Sequence, residues 1–136
     1  MEYGVKGAVA AGTGRASALE NGLSGLRQTI ESEPQNVEAR FSYAMALEEY
    51  GRWEDAEHEY RVATEMRPEC TEAYIHYGDM LRKACRPDDA EAQYRKAISI
   101  SPADFRAHFS YASMLEEQKR LEEAEDEYVQ AVCARR

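Results

Sequence analysis

Apolar and polar positions alternate along this chain with the rhythm of helices. Phe41, Tyr43, Ala44 and Leu47 fall at helical spacing, with Glu38, Ser42, Glu48 and Glu49 among and around them. That pattern predicts an amphipathic helix with one face for a core and one for water. Its opening phrase, Phe41-Ser42-Tyr43-Ala44, is spelled again at Phe109-Ser110-Tyr111-Ala112, and a looser copy, Ile75-His76-Tyr77-Gly78, lies midway. The interval is 34 residues.

Other columns keep the same register: Leu47, Leu81 and Leu115; Ala56, Ala90 and Ala124; Tyr60, Tyr94 and Tyr128; Ala63, Ala97 and Ala131; Pro34, Pro68 and Pro102. A fixed period of this length is the signature of a repeat architecture. Each unit reads as two helices. The first starts near Asn36, Cys70 or Asp104, and a turn follows at Gly51, Cys85 or Lys119. The second opens on paired carboxylates, Glu54-Asp55, Asp88-Asp89 or Glu122-Glu123, which complement the positive end of the helix dipole. Pro87 suits a first helical turn, and Pro68 and Pro102 stop the helices before them. The small residues at Ala44, Gly78 and Ala112 and at Ala56, Ala90 and Ala124 let paired helices approach closely, and Tyr60, Tyr94 and Tyr128 fill the space toward the next unit.

The two ends differ from the middle. Residues 1–14 are rich in Gly and Ala without sustained periodicity and are expected to be flexible. Leu19, Leu23, Leu26 and Ile30 predict a capping helix over residues 15–33, in the place of a preceding unit's second helix, although Gly22 and Gly25 weaken it. The helical repeat domain thus runs over residues 15–136, with repeats at 37–70, 71–104 and 105–136. At the other end Tyr128 and Val132 are expected to face a following helix. Two explanations stand side by side: the chain is a fragment of a longer protein, or another copy covers that face as a homo-oligomer.

Composition removes several function classes. The 136 residues carry a net charge of −9, the wrong sign for displacing counterions from nucleic acid or for docking on anionic lipid. The longest apolar run near the start, Ala8-Val9-Ala10-Ala11, is too short for a membrane span, so a cytoplasmic setting is expected. Cys70, Cys85 and Cys133 show neither the count nor the spacing of a disulfide framework or a zinc site. Gly12-Thr13-Gly14 lacks the Lys-Ser/Thr of a phosphate loop, and no catalytic set, metal site or cofactor is indicated. His76, Asp79 and His108 form the nearest thing to a ligand cluster, with spacing too loose to favour a metal.

The alanine, proline and tyrosine columns resemble the tetratricopeptide repeat, over three units across residues 37–136. The early tryptophan usual in that family is Arg40, Tyr74 or His108 here, and its usual Leu and Tyr of the first helix have traded places as Tyr43/Tyr77/Tyr111 and Leu47/Leu81/Leu115. The resemblance implies an all-α, right-handed solenoid of three helix-turn-helix repeats plus an N-terminal cap. It also implies a concave groove lined by the first helices: Glu38, Phe41, Ser42, Met45, Glu48 and Glu49 in unit one; Glu72, Ile75, His76, Asp79, Arg82 and Lys83 in unit two; Arg106, Phe109, Ser110, Ser113, Glu116 and Glu117 in unit three. The column Phe41, Ile75, Phe109 is then an apolar ladder on the open face, and such a surface marks partner contact.

Phe41 and Met45 cannot donate to a carboxylate, so the family's best-known ligand, a chaperone C-terminal tail, does not fit. An apolar protein or peptide segment fits better. The charge order of Glu48, Arg82, Glu116 and of Glu49, Lys83, Glu117 is minus, plus, minus, which predicts cross-repeat ion pairs in preference to a rim selecting basic ligands. The expected role is non-catalytic protein binding. A small chaperone similar to those of type III secretion translocators, or a regulatory or oligomerisation fragment of a larger enzyme, are the alternatives.

Overall fold

The period seen in the sequence becomes pairs of antiparallel helices in a computed structural model, which describes residues 20–135. Helix α1 covers residues 20–32. It is followed by α2 (Val37–Glu49), α3 (Trp53–Met66), α4 (Thr71–Lys83), α5 (Pro87–Ile100), α6 (Phe105–Glu117) and α7 (Leu121–Arg135). Among the described residues all regular structure is helical. The segment 1–14 and the first turn expected of the capping helix, residues 15–19, lie outside the described residues.

Local chemistry sets the boundaries. Asn36 caps α2, its side-chain oxygen accepting the Ala39 N–H at 3.0 Å. Asp104 caps α6, its carboxylate accepting the Arg106 N–H at 3.0 Å. Cys70 stands at the same place before α4 and supplies no such bond. A side-chain cap contributes about 1 kcal/mol, so α4 depends more on its packing.

The three turns within units share one geometry. Gly51, Cys85 and Lys119 adopt positive φ of 75°, 62° and 64°. The next residue's N–H reaches back in each case, from Arg52 to the Leu47 carbonyl, Arg86 to Leu81 and Arg120 to Leu115, all at 2.9 Å. This is the left-handed closure that satisfies the last carbonyls of a helix. Glycine reaches it without strain; Cys85 and Lys119 reach it against the clash of their Cβ.

Packing follows the small-residue columns. Ala44, Ala56, Ala63, Ala90, Ala97 and Ala112 are wholly buried where paired helices cross. Tyr60 and Tyr94 are buried as well and bridge to the following unit: Tyr60 stacks on Tyr77 with ring centroids 5.9 Å apart, and Tyr94 meets Tyr111 at 6.2 Å. Helix α1 buries Leu23 in the core, with Leu26 and Ile30 partly buried against it, and its Arg27 donates to the Tyr43 hydroxyl of α2 at 3.3 Å. Helices α2, α4 and α6 form the inner row, and α4 touches α6 as well as its own partner α5.

Candidate functional site

Two troughs open along the inner row. One, of about 280 Å³, lies between α2 and α4 and is lined by Met45, Glu48, Glu49, His76, Asp79 and Lys83. The other, of about 310 Å³, lies between α4 and α6 and is lined by Glu72, Ile75, His76, Asp79, Phe105, Arg106, Phe109 and Ser110. His76 and Asp79 belong to both, so the troughs meet at the middle helix. Of the residues predicted for the groove, Ser42 is exposed on α2, Ser113 turns toward the Tyr128 hydroxyl at 3.4 Å, and Arg82 donates to the Ser110 carbonyl at 3.2 Å.

The apolar column is not an open ladder. Ile75 is buried and Phe41 half-buried, while Phe109 is 54% exposed. The gradient has a positional cause. His76 of α4 lies edge-on to Phe41 with centroids 5.1 Å apart, and Tyr60 packs on it at 5.7 Å. Ile75 sits on the central helix, flanked by both neighbours. Phe109 has Tyr128 on one side at 5.7 Å and, among the described residues, no further first helix to cover it. The expectation of three exposed rungs is therefore corrected to one. Phe105, one turn before Phe109 and 40% exposed, extends that rung; the Arg135 guanidinium lies 5.4 Å from its ring. Phe105 escapes a reading by columns because its counterparts, Val37 and Thr71, are not aromatic.

The charged positions largely satisfy one another. Lys83 pairs with Glu48 at 2.6 Å and Arg82 with Glu117 at 3.3 Å. Arg106 pairs with Glu72 at 3.2 Å, and Arg67 with Glu38 at 3.1 Å. The acids also serve the tyrosines of the second helices. The Tyr60 hydroxyl donates to Glu48 at 2.9 Å and that of Tyr128 to Glu116 at 2.8 Å. In the middle unit that column holds Arg82, and the Tyr94 hydroxyl donates to Asp79 instead. Burial, with the adjacent carboxylate charge second, drives the Tyr60 and Tyr94 hydroxyls far above the usual tyrosine range. His76 and His108 do not converge. His108 is buried, its Nδ1 2.7 Å from Glu127 and its Nε2 2.8 Å from the Pro102 carbonyl.

A second set of contacts, at the junctions between units, escaped the sequence reading. Glu57 on α3 accepts from the Tyr77 hydroxyl at 2.9 Å and from Arg86 at 2.7 and 3.2 Å. Glu91 on α5 accepts from the Tyr111 hydroxyl and from Arg120 at 3.1 and 3.2 Å. In both, an arginine one turn along the same helix, Arg61 or Arg95, adds a further contact, at 3.2 and 3.0 Å. Hydrogen bonds from Arg86 hold the Glu57 carboxyl below its ordinary range, and those from Arg120 hold Glu91 at about 2. Burial and the Glu91 carboxylate push the Tyr111 hydroxyl up to about 12. Superposing the sequence on itself at the period of 34 would have found the set, since Glu57/Glu91, Tyr77/Tyr111 and Arg86/Arg120 are all columns.

The tetratricopeptide repeat profile matches residues 15–64, 46–105 and 81–136, and so spans nearly all of these helices. The chain belongs to the tetratricopeptide repeat family. Solved structures of MamA share the fold. One superposes with a TM-score of 0.77 at 20% identity, covering 86% of this chain and 68% of that one. Another gives 0.76 at 21%, covering 85% and 63%. A MamA fragment from Desulfovibrio magneticus RS-1 gives 0.72 at 22%, covering 88% and 68%. At that identity the likeness establishes the fold alone. No curated protein matches the sequence.

Repeats of this family build protein-interaction scaffolds, and no helix among the described residues is long and apolar enough to cross a membrane. This member departs from the family at the early tryptophan. Arg40 pairs with Glu59 at 2.9 Å, Tyr74 is buried with the Lys96 ammonium 5.6 Å from its ring, and His108 lies between Glu127 and the Pro102 carbonyl. Polar bonds between the paired helices thus stand at Arg40 and His108 where the family uses aromatic bulk, while Tyr74 keeps a buried ring there.

Proposed function

We propose that the chain is a non-catalytic binding module whose inner row takes an apolar segment of a partner protein, anchored at the α4–α6 trough. The observation that carries this reading is the exposed pair Phe105 and Phe109 beside a trough floored by Ile75. Elsewhere on the described inner row only Met45 is a large apolar side chain exposed to a comparable degree, at 42%. A segment lying across both troughs would place one apolar side chain against Phe109 and another near Met45, between the ion pairs of Lys83 and Arg106. His76 and Asp79 would lie under its middle, in both troughs at once.

The test compares wild type with Phe109→Glu and Met45→Glu in affinity capture followed by mass spectrometry. Both positions are exposed, so helicity by circular dichroism should be unchanged. Phe41→Glu is a poorer probe, because Phe41 packs on Tyr60 and His76. Loss of the captured protein on Phe109→Glu supports the trough as the site; capture unchanged by both substitutions rejects it.

A further inference from the structure

The junction contacts assign an occupant to the outer face of α7. Each junction has an acceptor side and a donor side. The acceptor side is a glutamate and a tyrosine ring of a second helix, Glu57 with Tyr60 or Glu91 with Tyr94. The donor side is a tyrosine and, nine residues on, an arginine of the next unit, Tyr77 with Arg86 or Tyr111 with Arg120. The third acceptor side is Glu125 with Tyr128 on α7. Glu125 is exposed, and among the described residues no donor reaches it. The arginine one turn along is replaced by Val129. Around it opens an apolar hollow of about 500 Å³, lined by Leu121, Tyr128, Val129 and Val132. Leu121, Val129 and Val132 are all more than half exposed.

The opposite end carries the complement. Tyr43 and Arg52 occupy the donor columns, also nine residues apart. The carboxylate column facing them is Leu23 of α1, and the tyrosine-ring column is Leu26. Among the described residues the Tyr43 hydroxyl therefore meets no acid and accepts from Arg27 at 3.3 Å; Arg52 keeps the pair with Asp55 at 2.8 Å that Arg86 and Arg120 also make with Asp89 and Glu123, and lacks the cross-unit glutamate those two arginines reach as well. One end holds a junction acid without donors, the other a tyrosine and an arginine without a junction acid.

We propose that copies of this chain stack head to tail, with α7 of one copy taking the Tyr43–Arg52 face of the next in place of α1. The exchange gives the displaced face a carboxylate and an aromatic ring where α1 offers Leu23 and Leu26. Both surfaces are complementary in charge and repeat the geometry that already joins the units within the chain. Helix α1 then acts as a cover that competes with self-association.

Sedimentation velocity on the full chain over a wide concentration range tests this. Wild type should associate with rising concentration. Glu125→Arg and Arg52→Glu should each weaken association at least about tenfold, the loss expected when one charge of a close interfacial pair is reversed. Mixing the two variants should restore it, because the arginine introduced on α7 of one then meets the glutamate introduced at the turn of the other. Ile30→Asp, which loosens α1, should strengthen association. Met45→Glu should leave it unchanged, separating this surface from the inner row. A wild type and an Ile30→Asp variant that both stay monomeric throughout would overturn the proposal, as would association indifferent to both charge reversals or a mixture that fails to associate.

Discussion

The middle unit and its neighbours solve the same packing problem differently. In units one and three the tyrosine of the second helix, Tyr60 buried and Tyr128 half-buried, donates to a glutamate, Glu48 or Glu116, and the small residue of the first helix is an alanine, Ala44 or Ala112. In unit two the glutamate is replaced by Arg82, which is spent on Glu117 and the Ser110 carbonyl of the next unit. Tyr94 instead donates to Asp79, nearly one turn closer to the start of α4. The ring then presses on position 78, where an added Cβ would lie 2.8 Å from it, and the residue there is glycine. A charge change on the surface thus brings a second change in the acceptor and a third in the core. Columns of a repeat are not independent, and a departure in one is read best together with the departures beside it.

The largest effect expected is at the tyrosines. Tyr94→Ala should cost about 3–5 kcal/mol, as for other fully buried aromatics, whereas Tyr128→Ala, half-buried, should cost well under half as much. Urea unfolding followed by circular dichroism measures both, and equal losses would mean that α7 is as tightly covered as α5. Next comes Gly78→Ala. Alanine favours a helix, yet here it should destabilise by about 1–3 kcal/mol through overpacking. The penalty should shrink when Tyr94→Phe frees the ring from Asp79; additive losses in the double-mutant cycle would uncouple the two sites.

The junction acids give a smaller, pH-dependent effect. The folded chain holds Glu91 at about 2, with Arg120 the leading cause, below the value of 4.5 for an unpaired glutamate. A depressed folded value means stability that is complete above the unfolded value and lost as pH falls through the folded one. Wild type should therefore lose about 1–2 kcal/mol between the two, an amount reduced by solvent screening, and Glu91→Gln should flatten that acid limb. An acid limb of the same slope in the variant would remove Glu91 as its source. Smallest is the turn. Lys119→Gly should stabilise by about 0.5–1 kcal/mol by relieving the left-handed backbone, and Gly51→Lys should do the reverse. Thermal melts of the two variants would show it.

The architecture was legible in the sequence because the period is strict. Proline, alanine, tyrosine and leucine columns fix where helices start, cross and stop, and the turn positions at Gly51, Cys85 and Lys119 fell where expected. The cross-repeat ion pairs were legible for the same reason, since opposite signs alternate from unit to unit within the same columns. Exposure was not. Phe41 and Phe109 are the same residue in the same column, yet one is covered by His76 of the following unit and the other is open. Sequence identity fixes which way a side chain points within its unit; the neighbour decides whether water reaches it. The junction acids were hidden for a related reason. Glu57 and Glu91 lie among many carboxylates on helix surfaces, and only their relation to a tyrosine and an arginine a unit away sets them apart.

The sameness of the two junctions has a corollary for how such a chain can change length. The bonds that Glu57 makes forward are the bonds that Glu91 makes forward, residue type for residue type. Copying residues 71–104 in tandem would give the new seam the same glutamate, tyrosine and arginine partners, although the inner-row pairs would not repeat there, since Arg82 of the first copy would meet Lys83 of the second in place of Glu117. An insertion of any other length between an acid and its tyrosine would break the separation of 20 residues that Glu57–Tyr77 and Glu91–Tyr111 share.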